Sequence, residues 1–421
     1  MRKRKDHRFT LNVVSLVLAG GWLLLVGQTL DPSIDDFERY WQAAVDLRQA
    51  GDPYVTRADY FYPPFFVYLM QPFGYLGHQQ GQWVWFGLNV LALGGFLALS
   101  IRLSRAELPR RFWGVVALGM VVAPPTRLTL QLGQISLVLA LAVVGIAALE
   151  HRAALLSGLL LALASLVRLN PAFLGIYYLL RRPRSVAWWS IGMGVALVVL
   201  SLLVYGPTHY ANYLDTIVRR NVDRQGAYPY AAEHNISLFG FWSRMLTLNR
   251  HAVPLLDAPL LAYLLTALLS LGVVGLCLWV GRREPGSDGA LLGFGVWVCG
   301  MMLLLPTNGY YNLVILLLPL LAVVRHLEQH RTPRTPWVRA WLVLATALIW
   351  VPPGWTSAHP WLYASLHTGW GLLALTPSFY GVLIFMGLLA VLAQGGASPR
   401  AGCGGRESVV GGEERRANIP P

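Results

Sequence analysis

Charge is what this sequence has least of. Only 13% of its 421 residues are Asp, Glu, Lys or Arg, and 55% are apolar. An ordinary soluble domain carries about 25% charged residues. A soluble chain this long divides into two or three domains, each needing a charged, water-facing coat. The charges here are too few for such coats, which argues against a soluble enzyme and, outside the tail, against disorder. Lysine is nearly missing, occurring only at Lys3 and Lys5, so Arg carries almost all of the formal +13. That excess is no sign of a nucleic-acid partner, because cytoplasmic loops of membrane proteins collect Arg for topological reasons. Cysteine is scarce too: Cys277 and Cys299 sit in apolar runs and Cys403 in the polar tail. Without CxxC spacing or a His cluster, they indicate neither a zinc site nor a disulfide framework. The P-loop, the GxGxxG turn, HExxH and the DxD that holds a nucleotide-linked metal are all absent.

What is present is a series of long apolar runs. A basic start, MRKRKDHR, precedes an apolar run from Phe9 to Leu30. It has the order of a signal peptide, but it is long enough to span and no small-residue cleavage site follows it. It reads as a retained first helix with a cytoplasmic N-terminus. Further spans are expected at 82–103, 112–130, 134–150, 153–168, 170–181, 185–205, 259–281, 289–305, 311–325, 337–352 and 369–393, about twelve in all. Phe65–Leu76, bounded by Pro63-Pro64 and Gly74, is too short to cross and reads as a re-entrant or interfacial helix. The expected fold is an all-α polytopic membrane protein: one transmembrane domain over 1–395, outside loops at 31–81 and 206–258, and a disordered cytoplasmic tail at 396–421. The charges agree with this map. Arg102, Arg105, Arg110, Arg111, Arg152, Arg181, Arg182, Arg184, Arg282, Arg283, Arg325, Arg331, Arg334 and Arg339 all fall in the segments assigned to the cytoplasm. The acids do the opposite: Asp31, Asp35, Asp36, Glu38, Asp46, Asp52 and Asp59 crowd the first outside loop.

Loops this long usually carry function. In the first, Phe37, Tyr40, Trp41, Ala44 and Leu47 recur at helical spacing, which predicts an amphipathic helix over 36–50 lying along the interface. A carboxylate just beyond the first span can act as general base on a sugar or alcohol hydroxyl. Asp35 or Asp36 can equally well cap that helix. Tyr60-Phe61-Tyr62-Pro63-Pro64-Phe65 suits the wall of a groove for a lipid or sugar, or a rigid turn within an aromatic belt. Arg127 and Arg168 fall at or near outer ends of apolar segments. An Arg at such depth needs an anion or a carbonyl, so a lipid phosphate fits it, as does snorkelling to head groups. In the second loop Glu233-His234-Asn235-Ile236-Ser237 precedes Phe239-Gly240-Phe241-Trp242-Ser243-Arg244, a polar set for sugar hydroxyls beside aromatics for ring stacking. Asn235-Ile236-Ser237 also fits the short N-glycosylation pattern.

In order, the chain offers Asp36-Phe37 after the first span, Tyr40, Ala43-Ala44, Gly51-Asp52-Pro53-Tyr54 and Tyr62-Pro63-Pro64. Gly133-Gln134, Arg168-Leu-Asn-Pro171, Asn235-Ile-Ser237-Leu, Arg244 and Pro306 before a polar-aromatic turn complete the series. Over roughly residues 10–325 this resembles glycosyltransferase family 87, polytopic C-type (GT-C-like) transferases similar to the mannosyltransferases of actinobacterial lipoglycan synthesis. The resemblance implies an inverting hexosyltransferase at the cell membrane. Its donor would be a polyprenyl-phosphate sugar, commonly mannose, and its acceptor a lipid or glycan hydroxyl. The family's first-loop Asp maps onto Asp36, with adjacent Asp35 as fallback. Arg168 or Arg127 would meet the donor phosphate. Tyr40, Tyr62, Pro64, Gln134, His234, Asn235, Arg244 and Tyr311 are the expected substrate contacts. Tyr311 stands where the family often has a His. No cofactor, metal or nucleic acid is expected, and both termini are expected in the cytoplasm.

Two rivals share part of this pattern. A transporter or flippase predicts paired repeats and broken helices near the midplane, and no such symmetry is visible in the sequence. An O-antigen-type ligase would share lipid-linked donors, but its essential residues would be Arg and His in the large loop rather than an acid after the first span.

Overall fold

The computed structural model describes residues 2–30, 36–49, 51–57, 60–104, 113–181, 183–222, 230–282, 287–330, 335–357 and 359–395. Among these residues the regular structure is helical, and the only β pairing is two isolated bridges, Asn235 with Gly309 and Val253 with Thr368. The helices in order are α1 (Arg2–Gln28), α2 (Asp36–Arg48), α3 (Pro53–Thr56), α4 (Pro64–Met70), α5 (His78–Ser104), α6 (Trp113–Val122), α7 (Pro124–Gln131), α8 (Ser136–Leu149), α9 (Ala154–Val167) and α10 (Ala172–Leu180). They continue as α11 (Ser185–Tyr205), α12 (Thr208–Val222), α13 (Leu238–Leu246), α14 (Pro259–Gly281), α15 (Ser287–Leu304), α16 (Leu317–Gln329), α17 (Thr335–Ile349), α18 (Pro360–Leu366), α19 (Leu372–Leu375) and α20 (Pro377–Gly395). Short 3-10 turns occupy Gln71–Tyr75, Tyr310–Leu316 and Gly369–Gly371. Proline stands in the first turn of α3, α4, α7, α14 and α18, where its missing N–H has no intrahelical partner to lose.

Six helical stretches are long and apolar enough to cross a membrane: Leu11–Gln28, His78–Ser104, Ser185–Tyr205, Pro259–Gly281, Tyr310–Gln329 and Pro377–Gln394. A seventh arises if α6 and α7, bent by 58° at the Ala123–Pro124 break, form one span. The expected spans at 134–150, 153–168, 289–305 and 337–352 are shorter apolar helices, and the one at 170–181 is only the nine-residue α10. The last expected span begins later than 369, because Thr376 leaves helical geometry and Pro377 starts α20. These helices show leucine and valine outwards. Leu203 is 80% exposed, and Leu91, Leu260, Leu268 and Leu271 project likewise, an inversion that water would penalise and lipid welcomes.

The core has two parts. The larger runs between α5, α8, α9, α10 and the α13–α20 helices. The smaller is aromatic and built on Phe37, Tyr40, Tyr54, Tyr60, Phe66 and Trp85. Helix α2 is amphipathic as its spacing predicts. Its apolar stripe (Phe37, Tyr40, Ala43, Ala44, Val45) is nevertheless buried against the 71–75 turn, α4 and α5. The stripe is consumed by the chain itself, leaving little for a bilayer surface.

Connections gather at two separate ends. At one, the α1, α7 and α8 ends, the 306–312 turn and the 230–258 segment interlock, through Asp36 N to Leu132 O (2.7 Å), Gln131 to Thr29, Asn170 to Asn308 and Ile236 N to Asn308 O (2.9 Å). At the other, Tyr178 donates to Glu150 and Arg325 to Ser104 O. The expected tail at 396–421 lies outside the described residues.

Candidate active site

Asp36 opens α2, where a negative charge meets the positive end of the helix dipole. Its amide is pinned to Leu132 O, so the end of α7 fixes where the helix starts. One carboxylate oxygen meets Arg39, one turn on, and the other accepts from Gln134 Nε2. The oxygens are thus engaged with side chains rather than with the amides of the first turn, as a simple cap would require. The Asp36 side chain is only 14% exposed, against 48% for Arg39. Burial raises the Asp36 pKa above the ordinary carboxylate value, while Arg39, the Gln134 hydrogen bond and Arg168 pull it back.

Gln134 reaches Asp36 because the chain turns sharply before it. Gly133 has φ +61, and a Cβ there would stand 2.7 Å from Phe37 Cβ. Only glycine allows both the left-handed backbone and this approach. The Gly133 carbonyl is held by Trp85 Nε1 at 2.6 Å, and the Trp85 ring stacks on Phe37. The other end of Gln134 accepts from Tyr40 Oη at 3.1 Å and Tyr62 Oη at 3.4 Å, and these two hydroxyls lie 2.7 Å apart. Burial pushes both phenols up from their ordinary pKa, so they remain protonated donors. Pro64 is buried at the start of α4, behind Tyr62.

Arg168 ends α9, and its guanidinium lies over the rings of Tyr62 (5.9 Å) and Tyr311 (5.7 Å), within hydrogen-bonding reach of the Tyr311 hydroxyl. Its Nη1 donates to Asn312 Oδ1 at 3.0 Å. These partners are all neutral. Asp36 feels the Arg168 charge without making an ion pair with it. Asp36, Tyr40, Tyr62, Gln134, Arg168 and Tyr311 thus form one buried to half-buried polar cluster from five separate parts of the chain.

The remaining expected residues sit differently. Arg127 is exposed on α7 with its guanidinium 5.7 Å from the Trp22 ring, in a contact separate from the Arg168 cluster. Asp35 lies outside the described residues. Arg244 is 1% exposed and spends four N–H bonds on Ala231 O, Ala232 O, Asn235 O and Thr376 Oγ1. Asn235 bonds Tyr230 O, Pro306 O and the Ser237 and Asn308 amides. Asn235 therefore ties the second loop to the 306–312 turn, and Arg244 holds that loop's 231–235 backbone together and joins it to Thr376. His234, whose carbonyl accepts from Tyr310 N, is close enough to Arg39 to feel its charge. Burial first, then Arg244, His251 and Arg39, hold its imidazole down to about 4.

Arg39, Ser136, Asn308 and Asn312 escaped the sequence reading. The i,i+3 spacing of Asp36 and Arg39 was the available sign for the first. For the asparagines it was their crowding after Pro306, where attention falls on Tyr311. Behind the 310–316 turn, an apolar cavity of about 280 Å3 opens between α6, α7, α16, α17 and α20, lined among others by Met120, Thr126, Leu313, Leu317 and Phe385.

The model of glycosyltransferase family 87 matches residues 60–307. Asp36, Tyr40 and Tyr311 lie outside that match. The chain is 29% identical over 318 residues to the polyprenol-phosphate-mannose-dependent alpha-(1-2)-phosphatidylinositol pentamannoside mannosyltransferase of Mycolicibacterium smegmatis. It is 28% identical over 320 residues to the Mycobacterium tuberculosis protein of the same name. Each alignment takes in 75% of this chain, and the chain spans 65% and 62% of the lengths of these relatives. The polyprenol-phosphate-mannose-dependent alpha-(1-2)-phosphatidylinositol mannoside mannosyltransferase of M. smegmatis is 25% identical over 388 residues, covering 85% of this chain and 84% of its own.

Proposed function

The chain belongs to glycosyltransferase family 87, and from that premise we propose that it is a membrane transferase using a polyprenyl-phosphate sugar, mannose, as donor. The acceptor is a hydroxyl of a lipid or glycan on the non-cytoplasmic face. The names of the three relatives support the donor class. One observation above all supports the reading. A largely enclosed carboxylate with a raised pKa and a guanidinium whose partners among the described residues are neutral share one cluster without pairing with each other.

In this mechanism Asp36 accepts the proton of the acceptor hydroxyl as its oxygen attacks the anomeric carbon. The bond from that carbon to the phosphate oxygen breaks on the opposite face, so a single displacement inverts the centre. Arg168 meets the charge that builds on the departing polyprenyl phosphate. Gln134 keeps Asp36 aimed and partly ionised, and Tyr40 and Tyr62 fix Gln134. The apolar cavity behind the 310–316 turn gives the prenyl chain a place close to its phosphate. The arginine-rich segments lie in the cytoplasm in this reading, with both termini on that side of the cell membrane and about twelve crossings once the shorter apolar helices are counted.

The test is transfer from radiolabelled polyprenyl-phosphate mannose to a membrane lipid extract by purified protein, with Asp36→Asn beside the parent. The parent should transfer and Asp36→Asn should lose about 100-fold or more. Equal rates would remove Asp36 as the base. No transfer by either protein, together with movement of lipid across vesicles, would favour the flippase. Topology is separable: in a cysteine-free background, Val55→Cys and Arg152→Cys should label from opposite sides of the membrane.

A further inference from the structure

The Arg168 guanidinium is aimed by a chain of amides whose orientation is fixed from one end. Met302 O can only accept, so Asn308, fully buried, must turn its amide nitrogen to it, at 2.7 Å. That leaves Asn308 Oδ1 facing Asn312, which must in turn present Nδ2, also at 2.7 Å. Asn312 Oδ1 is then the atom left for Arg168 Nη1 at 3.0 Å, and Ser136 Oγ donates to the same oxygen at 2.6 Å. Asn170, two residues after Arg168, adds a longer contact to Asn308 Oδ1 at 3.5 Å. The backbone of Asn308 is itself clamped to the second loop, its N–H by Asn235 Oδ1 and its C=O by Ile236 N.

We propose that Asn312, oriented by Asn308, is a positioning residue: it aims Arg168 at the donor phosphate while leaving its charge unspent. This rests on the assignment of Arg168 above. The chemical point is the choice of a neutral acceptor. A carboxylate at position 312 would hold the guanidinium as firmly, but it would also neutralise it and compete with the phosphate. An aliphatic side chain would do neither, leaving Arg168 held by the two tyrosines alone, Ser136 Oγ without its acceptor and Asn308 Oδ1 with only the long Asn170 contact.

The experiment measures binding of polyprenyl phosphate, with uncharged polyprenol as the control ligand, to full-length protein in nanodiscs. The proteins are the parent, Asn312→Leu, Asn312→Asp, Arg168→Gln and the Arg168→Gln/Asn312→Leu double variant. A hydrogen bond to a charged group corresponds to roughly ten-fold or more in affinity. Asn312→Leu should therefore weaken polyprenyl phosphate about ten-fold and leave polyprenol unchanged. Asn312→Asp should weaken it at least as much, although the side chain is nearly isosteric and keeps an acceptor toward Arg168. In the Arg168→Gln background, Asn312→Leu should add less than about two-fold, because its effect passes through the arginine. In turnover, the loss should appear in the donor KM more than in kcat.

Equal losses in both backgrounds, or equal losses for polyprenyl phosphate and polyprenol, would show Asn312 to be a packing residue and overturn the proposal. Asn312→Asp binding as the parent does would also overturn it. A parent that fails to prefer polyprenyl phosphate to polyprenol would remove the phosphate assignment of Arg168 itself, and with it this proposal. That outcome is distinct from the others because it is read on the parent alone.

Discussion

Gln134→Met keeps the length of the side chain and removes its amide, which tests the Asp36 base at one remove. The amide donates to Asp36 and accepts from Tyr40 at 3.1 Å and from Tyr62 at 3.4 Å. Burial disfavours the ionised carboxylate, and the Gln134 bond is one of the forces opposing it. A hydrogen bond to a charged group is worth about 1.5–3 kcal/mol, and about 1.4 kcal/mol is ten-fold in an ionisation constant. Gln134→Met should thus make Asp36 about ten- to a hundred-fold harder to ionise, moving the acidic limb of kcat/KM up by about one to two pH units. The sign follows from the role. A base works ionised, so the variant should be most impaired at low pH and recover as pH rises through the displaced limb. The assay is initial transfer rate from polyprenyl-phosphate mannose between pH 5 and 9. Loss of the acceptor for two buried phenols adds about 1–3 kcal/mol of instability, read separately as a lower thermal midpoint. A constant fractional loss with the limb unmoved would mean that Gln134 only props the fold. A parent profile with no acidic limb would mean that Asp36 is not the titrating group.

Arg244→Met removes four donated bonds from buried acceptors, so it should cost at least about 3 kcal/mol and lower the thermal midpoint, with donor KM unchanged in the protein that survives; a raised KM at full stability would make Arg244 a substrate contact. Gly133→Ala forces φ +61 on a residue with a Cβ and drives it into Phe37, which should cost about 1–3 kcal/mol and slow transfer by displacing Gln134 and Asp36 together. His234 is held down to about 4 by burial against an ordinary 6.5. Its contribution to stability is therefore complete above pH 6.5 and is lost toward pH 4 at about 1.4 kcal/mol per pH unit. His234→Gln should flatten the fall of the thermal midpoint between pH 6.5 and 4.5, and an unchanged slope would show that another group carries it.

Where sequence and structure agree, a local pattern was enough. The long apolar runs give the six spanning helices, since a run of about 20 apolar residues has few other ways to satisfy its backbone in lipid. The 36–48 helix follows from the spacing of Phe37, Tyr40, Ala44 and their neighbours. The surface that α2 would cover was not legible, because amphipathicity states only that an apolar face needs a partner, and Phe73 and Trp85 supply it from elsewhere in the chain. The run after 153 divides into α9 and α10 where Arg168 leaves helical geometry and the chain turns helical again after Pro171, two helices of 14 and nine residues. In the candidate site the charged members stood out because charge is rare here. Tyr40, Tyr62, Gln134 and Tyr311 were named through the family resemblance, whereas Ser136, Asn308 and Asn312 carry no such flag until tertiary contacts at separations of 144 and 176 residues bring them together.

The placement of those neutral partners follows from the chemistry of opposite charges at low dielectric. A carboxylate and a guanidinium left to meet in a buried cluster would pair, and the pair would hold both in their resting states: the acid too weak a base, the cation already answered. Here Asp36 is offered the half-exposed Arg39 and the Gln134 amide, while Arg168 is offered Asn312 and two aromatic faces. Asp36 is paired only with a cation that water screens, and Arg168 keeps its charge on neutral partners among the described residues. The tyrosines suit the space between because burial keeps their hydroxyls protonated, so they bridge without adding charge. A cluster built this way binds poorly to itself and well to a molecule that brings an anion to one side and a hydroxyl proton to the other, which is the shape of a lipid-phosphate donor meeting an alcohol.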